Sequence, residues 1–110
     1  MSDKEELKTD QSMVDDHPEE KDIHLNKVLA ALGDPIRLQI VSQVAKSKKP
    51  IKYGDFDFDI GNATLSYHLK TLRVAGLIWQ RRVGTRCYIS LRKEIHALFP
   101  QVLKSILKNV

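Results

Sequence analysis

The chain has 110 residues, 42% of them hydrophobic, enough to build one core and too few for two. Its net charge of +4 hides a division: residues 1–22 carry three lysines against nine acids, whereas the other 88 residues carry fifteen Lys and Arg against five acids. No apolar run approaches the roughly 20 residues of a membrane span, the acidic start lacks the basic and apolar regions of a secretion signal, and a single cysteine, Cys87, excludes an internal disulfide and fits a reducing cytoplasm.

Residues 1–21 hold few apolar positions, many like charges and no period, so they are expected to form a disordered acidic tail. The folded domain then spans residues 22–110. In residues 23–32, Leu25, Val28, Leu29 and Leu32 fall on one helical face, with Asp22 as a cap and Gly33 as the stop. Asp34-Pro35 starts a second helix, the carboxylate facing free N–H groups and the proline filling the first turn, where no N–H is needed. It runs to about Lys46 and is apolar on several sides at Ile36, Leu38, Ile40, Val41, Val44 and Ala45, as a central buried helix would be. A basic loop follows at residues 47–50.

Between residues 51 and 60, Phe56, Phe58 and Ile60 alternate with Asp55, Asp57 and Asp59, while Gly54 interrupts any long helix. A short helix or turn with buried aromatics is expected there. Asn62 is placed to cap a third helix over residues 63–75, whose Leu65, Leu69 and Leu72 face a core and whose end is marked by Gly76. Residues 77–83 and 86–91, rich in β-branched and aromatic side chains, read as strands joined through Gly84-Thr85. The last segment, residues 98–110, carries an apolar stripe of Phe99, Val102, Leu103, Ile106 and Leu107, with Pro100 near its start. A chain this short has little core left to cover both this stripe and that of Leu25, Val28, Leu29 and Leu32, so a two-fold dimer through the first and last helices is expected.

The whole is an α+β, mainly α pattern: a helix-turn-helix followed by a two-stranded β-hairpin wing. A positive excess concentrated around one helix and one hairpin favours a polyanion, because Lys and Arg on phosphates release condensed counterions. Double-stranded DNA is the natural partner. Asn62, Ala63, Thr64, Ser66 and Tyr67 lie in the first turns of the third helix, the part that helix-turn-helix proteins push into a major groove. Lys70 and Arg73 lie further along for phosphates, and Arg81, Arg82, Thr85 and Arg86 surround the wing tip.

Other residues read as structural. His68 points sideways toward the protein, Trp79 suits core or rim packing, and Cys87 shares a face with Ile89 and Leu91. Arg37, in a first helical turn where the macrodipole disfavours a cation, is expected to meet an anion, most simply a protein carboxylate. Asp55, Asp57 and Asp59 lack the glycine and distal glutamate of a calcium loop and read as solvated acids.

Ala31-Leu32-Gly33-Asp34-Pro35-Ile36-Arg37-Leu38, together with Leu65-Ser66-Tyr67-His68-Leu69-Lys70-Thr71-Leu72 and Ala75-Gly76-Leu77, closely resembles the ArsR/SmtB family of bacterial winged-helix repressors, over about residues 23–91. The resemblance implies a homodimer, operator binding and release by an inducer whose identity the residues do not disclose. Metal-sensing members place a Cys-x-Cys pair before the recognition helix, and residues 52–60 contain no cysteine. Glu94 and His96 match half of a second family metal site, but its other half falls near Leu107 and Val110, which cannot ligate. The chain therefore looks like a branch without metal ligands or cofactor. A metal sensor using Glu94 and His96, and a winged-helix adaptor for other proteins, are the alternatives. No nucleophile, paired-carboxylate or Cys/His set supports an enzyme.

Overall fold

Helices make up half of what the computed structural model describes, residues 13–110. They are α1 (Leu25–Leu32), α2 (Pro35–Lys46), α3 (Asn62–Ala75), α4 (Glu94–Leu98) and α5 (Pro100–Asn109), with strands β1 (Ile51–Lys52), β2 (Ile78–Val83) and β3 (Arg86–Leu91). This is the expected winged helix-turn-helix, with one addition. The sheet has three antiparallel strands in the order β1-β3-β2, not two. Strand β1 is only two residues long, too short for any periodicity, and is defined by its partners: Ile51 lies opposite Ile89 and Lys52 opposite Tyr88.

Local chemistry accounts for the helix ends. The Asp34 carboxylate accepts from the Ile36 N–H at 2.8 Å and the Arg37 N–H at 3.1 Å, as the Asp-Pro pair predicts. Asp22 does not cap α1; it ends a 3-10 turn (Glu20–Asp22), and α1 starts behind His24. Nor does Asn62 cap α3, since it is the first helical residue behind Gly61 and no side chain caps that end. At the other end Gly76 adopts φ 90°, and a Cβ there would stand 2.6 Å from Ile23 Cγ1, so both conformation and space require glycine. Gly84, at φ 63°, supplies the positive φ that the two-residue wing turn needs at its first position.

Helix α2 is the hub, packed against α1, α3, α5 and β3. Its Ile40, Val41 and Val44 join Leu65, Leu69 and Leu72 of α3 and Ile78 and Ile89 of the sheet in one core. After β1 the chain makes a 3-10 turn (Tyr53–Asp55), then buries Phe56, while Phe58 and Ile60 pack partly against the core. The C-terminal segment is two helices, broken at Phe99 (φ −137°, ψ 60°) with Pro100 opening α5.

The terminal stripes divide in a way that their periodicity did not show. Val28, Leu103 and Ile106 are buried inside the chain's own core, and Leu32, Phe99 and Val102 pack partly against it. Leu25, Leu29 and Leu107 are the members left exposed. A helical stripe announces burial without saying against what, so the three core residues leave the expected dimer surface.

Residues 1–12 of the expected tail lie outside the described residues. Residues 13–21 differ from that expectation, because they lie strapped along the free edge of β2. Met13 bridges to Arg81, the Val14 N–H donates to the Gln80 carbonyl at 3.0 Å, and Arg92 Nη1 donates to the Pro18 carbonyl at 2.6 Å. Ile23 then anchors the strap in the core. Backbone groups meeting buried polar side chains hold this segment, and composition carries no trace of that. No helix among the described residues is long and apolar enough to cross a membrane.

Candidate nucleic-acid interface

Helix α3 presents two unlike sides. Leu65, His68, Leu69, Leu72, Arg73 and Ala75 are buried. Asn62, Ala63, Thr64, Ser66, Tyr67 and Lys70 are exposed, as the sequence pattern places them. Tyr67 is 63% exposed, a large ring with little of its surface covered by the protein. Because no side chain caps α3, the N–H groups of its first turn are left for water or an anion.

The turn after β1 links this helix start to the wing through a residue that the sequence pattern does not mark. The Tyr53 hydroxyl donates to the Asn62 carbonyl at 2.9 Å and lies 3.0 Å from Ser66 Oγ, which ties the turn after β1 to the first turns of α3. The same turn walls a cleft of about 370 Å3 whose far side is Thr85, Arg86 and Cys87 of the wing. Lys52 lines that cleft too, so exposed Lys52 and half-buried Tyr53, which the pattern of residues 51–60 did not single out, lie between α3 and the wing. The available signal was a tyrosine next to a lysine in a linker, which is weak. Arg82, Thr85 and Arg86 are exposed around the turn, and Arg81 is exposed at the Met13 bridge.

Arg73 does not belong to the outward set. It is only 8% exposed and its guanidinium donates to Asp15 O at 2.9 Å and to Gln80 Oε1, with the Asp16 carboxylate 3.6 Å away. Its helical position permits either direction, and the strap, which is remote in sequence, decides it. Gln80 also passes its amide N–H to Cys87 Sγ at 3.2 Å, leaving that thiol half-buried. The Gln80 backbone N–H donates to His17 Nε2 at 2.9 Å, so this imidazole is neutral, with Nδ1 2.6 Å from the Val14 carbonyl. Burial holds the His17 pKa below its ordinary value against the opposing Val14 hydrogen bond, and the charges of Arg73 and Arg92 push the same way as burial.

Arg92, almost fully buried, lies over the Trp79 ring at 4.0 Å and pairs with Glu94 at 3.2 Å. Trp79 thus packs at the rim as expected. Burial alone would raise the Glu94 carboxyl, but the hydrogen bond and charge of Arg92 outweigh it and hold the pKa down. Glu94 is thus engaged by Arg92 while His96 is exposed, and no group of three or more metal-ligating side chains occurs among the described residues.

Arg37 corrects another expectation. Its partners are neutral acceptors, the Ala31 carbonyl at 2.7 Å from Nε and His68 Nδ1 at 3.1 Å from Nη1. The carboxylate nearest in sequence, Asp34, is occupied with backbone N–H groups; the hydrogen bond from Arg37 N–H is the chief reason its pKa lies below the ordinary value.

Comparison with known proteins agrees with this geometry. The model of the arsR family of bacterial regulatory proteins matches residues 34–79, from the Asp34 cap to Trp79 in β2. The chain is 37% identical over 70 residues to the uncharacterized HTH-type transcriptional regulator YceK of Bacillus subtilis (strain 168), an alignment covering 62% of this chain and 70% of that protein. With α2 and α3 forming the helix-turn-helix and β2–β3 the wing, the chain belongs to the arsR family of bacterial regulatory proteins and is a DNA-binding transcriptional regulator.

Proposed function

We propose that the protein is a homodimeric repressor that binds an inverted-repeat operator in duplex DNA in the cytoplasm. The observation that carries this reading is the set of exposed side chains Thr64, Ser66, Tyr67 and Lys70 of α3 and Thr85 and Arg86 of the wing, with Lys52 and the half-buried Tyr53 between them. Donors, acceptors and one ring at the helix start suit base edges, and guanidinium groups at the wing suit phosphates or a minor groove. Exposed Leu25 and Leu29 on α1, with Leu107 on α5, support pairing of two copies through the terminal helices. Two recognition helices related by a two-fold axis would enter major grooves about one helical turn apart. Residues 22–110, with the strap across them, form the working unit, and no catalytic step or metal belongs to this reading. Selection of duplexes from a random pool tests it: an enriched inverted repeat is expected, and a pool that stays random refutes it.

A further inference from the structure

A groove of about 510 Å3 lies between α1 and the outer side of α3. Small side chains make the depression, chiefly Ala30, Ala31 and Ala75, and Val74 stands in it 46% exposed. Lys27, Arg37 and Lys70 also line it, with no acidic residue among the lining. Duplex DNA would satisfy the lysines, whereas the alanines and Val74 call for an apolar body beside them. A second copy bound through Leu25 and Leu29 would leave the groove open, because at 100° per residue Lys27, Ala30 and Ala31 fall on roughly the opposite side of α1.

We propose that this groove binds a small molecule bearing one carboxylate on an apolar body, of the size of a medium-chain fatty acid. The volume falls within the roughly 300–1,000 Å3 of small-ligand sites, which are mostly apolar with a few placed polar groups. Arg37 is the fixed cation: Nε and one Nη are held by Ala31 and His68, and among the described residues no carboxylate pairs with it. An incoming carboxylate supplies the missing anion, with Lys27 and Lys70 adding charge from the rim. Tyr67 and Lys70 belong both to this groove and to the proposed DNA face, so an occupant competes with DNA for them. That consequence rests on the reading above; the site itself does not.

Octanoate is the probe, titrated into the full chain without DNA and followed by calorimetry and backbone amide shifts. One saturable site per chain is expected, with shifts centred on Ala30, Ala31, Thr71 and Val74, and with octanol and acetate at least ten-fold weaker. Val74→Glu and Lys27→Glu, both at exposed helical positions, should each weaken octanoate at least ten-fold. Absence of saturation, shifts centred elsewhere, octanol binding as tightly as octanoate, or unchanged affinity in both variants would overturn the site. A parallel titration with selected duplex separates the two readings. Duplex bound while octanoate is ignored removes the groove and keeps the repressor; octanoate bound while duplex is ignored does the reverse.

Discussion

The Tyr53 hydroxyl donates to the Asn62 carbonyl at 2.9 Å, and through this bond the turn after β1 fixes the start of the recognition helix. Ser66 Oγ, 3.0 Å from the same hydroxyl, is a second point of attachment one turn further on. Tyr53→Phe keeps the ring and removes both bonds. Affinity for the selected duplex should fall about three- to ten-fold, the weight of roughly one ordinary hydrogen bond, with little change in thermal stability. Unchanged affinity measured by fluorescence anisotropy would show that the bonds do not position the helix.

The exposed set divides into positions that read sequence and positions that hold phosphate, and salt separates them. Tyr67→Ala should narrow the affinity gap between selected and random duplex while leaving the salt slope nearly intact. Arg82→Ala or Arg86→Ala should weaken binding to every duplex and lower the slope of log K against log salt by about one for every phosphate no longer neutralised. Equal slopes for the wing variants and the wild type would count against the wing as a phosphate grip.

Arg73 makes the opposite prediction to the one its position in the helix suggests. Its guanidinium joins Asp15, Asp16 and Gln80, so Arg73→Ala removes the bond that fastens the strap to α3 and β2. A loss of about 1–3 kcal/mol is expected in chemical unfolding, against almost none for Arg82→Ala. Proteolysis between residues 13 and 23 should quicken in Arg73→Ala as the strap loosens.

How far the residues themselves announced this architecture depends on distance along the chain. Helices α2 and α3 and the wing declare themselves through periods, caps and turn residues, all local signals; Asp34-Pro35 and Gly76 act as their chemistry predicts. What stayed hidden was set by partners far away in sequence. The strap is held by Arg73 and Arg92, 58 and 74 residues from the carbonyls they reach, and β1 exists through its register with β3. Val28 and Leu29 are neighbours in one apolar stripe, yet one lies in the core and the other faces outward.

The strap should respond to pH through His17. Its pKa in the folded chain lies below 6.5, so the unfolded chain binds more protons in the window just below that value. His17 therefore contributes stability that is complete above about pH 6.5 and is lost as pH falls toward the folded pKa. Glu94 and Asp34, lowered from 4.5 and 3.8, contribute stability present above those values and lost only in stronger acid, a separate window. Denaturant unfolding at about pH 7.5 and about pH 5.5 should show the wild type losing stability on acidification relative to His17→Gln. Parallel behaviour of the two proteins would mean that the imidazole is not held neutral by the strap.

The number of chains that engage one duplex tests the two-fold repressor reading most directly. Sedimentation equilibrium of the full chain with a selected duplex should give two chains per inverted repeat, at a salt concentration where excess random competitor does not displace them. One chain per duplex, or displacement by random competitor at the same concentration as by specific duplex, would contradict it.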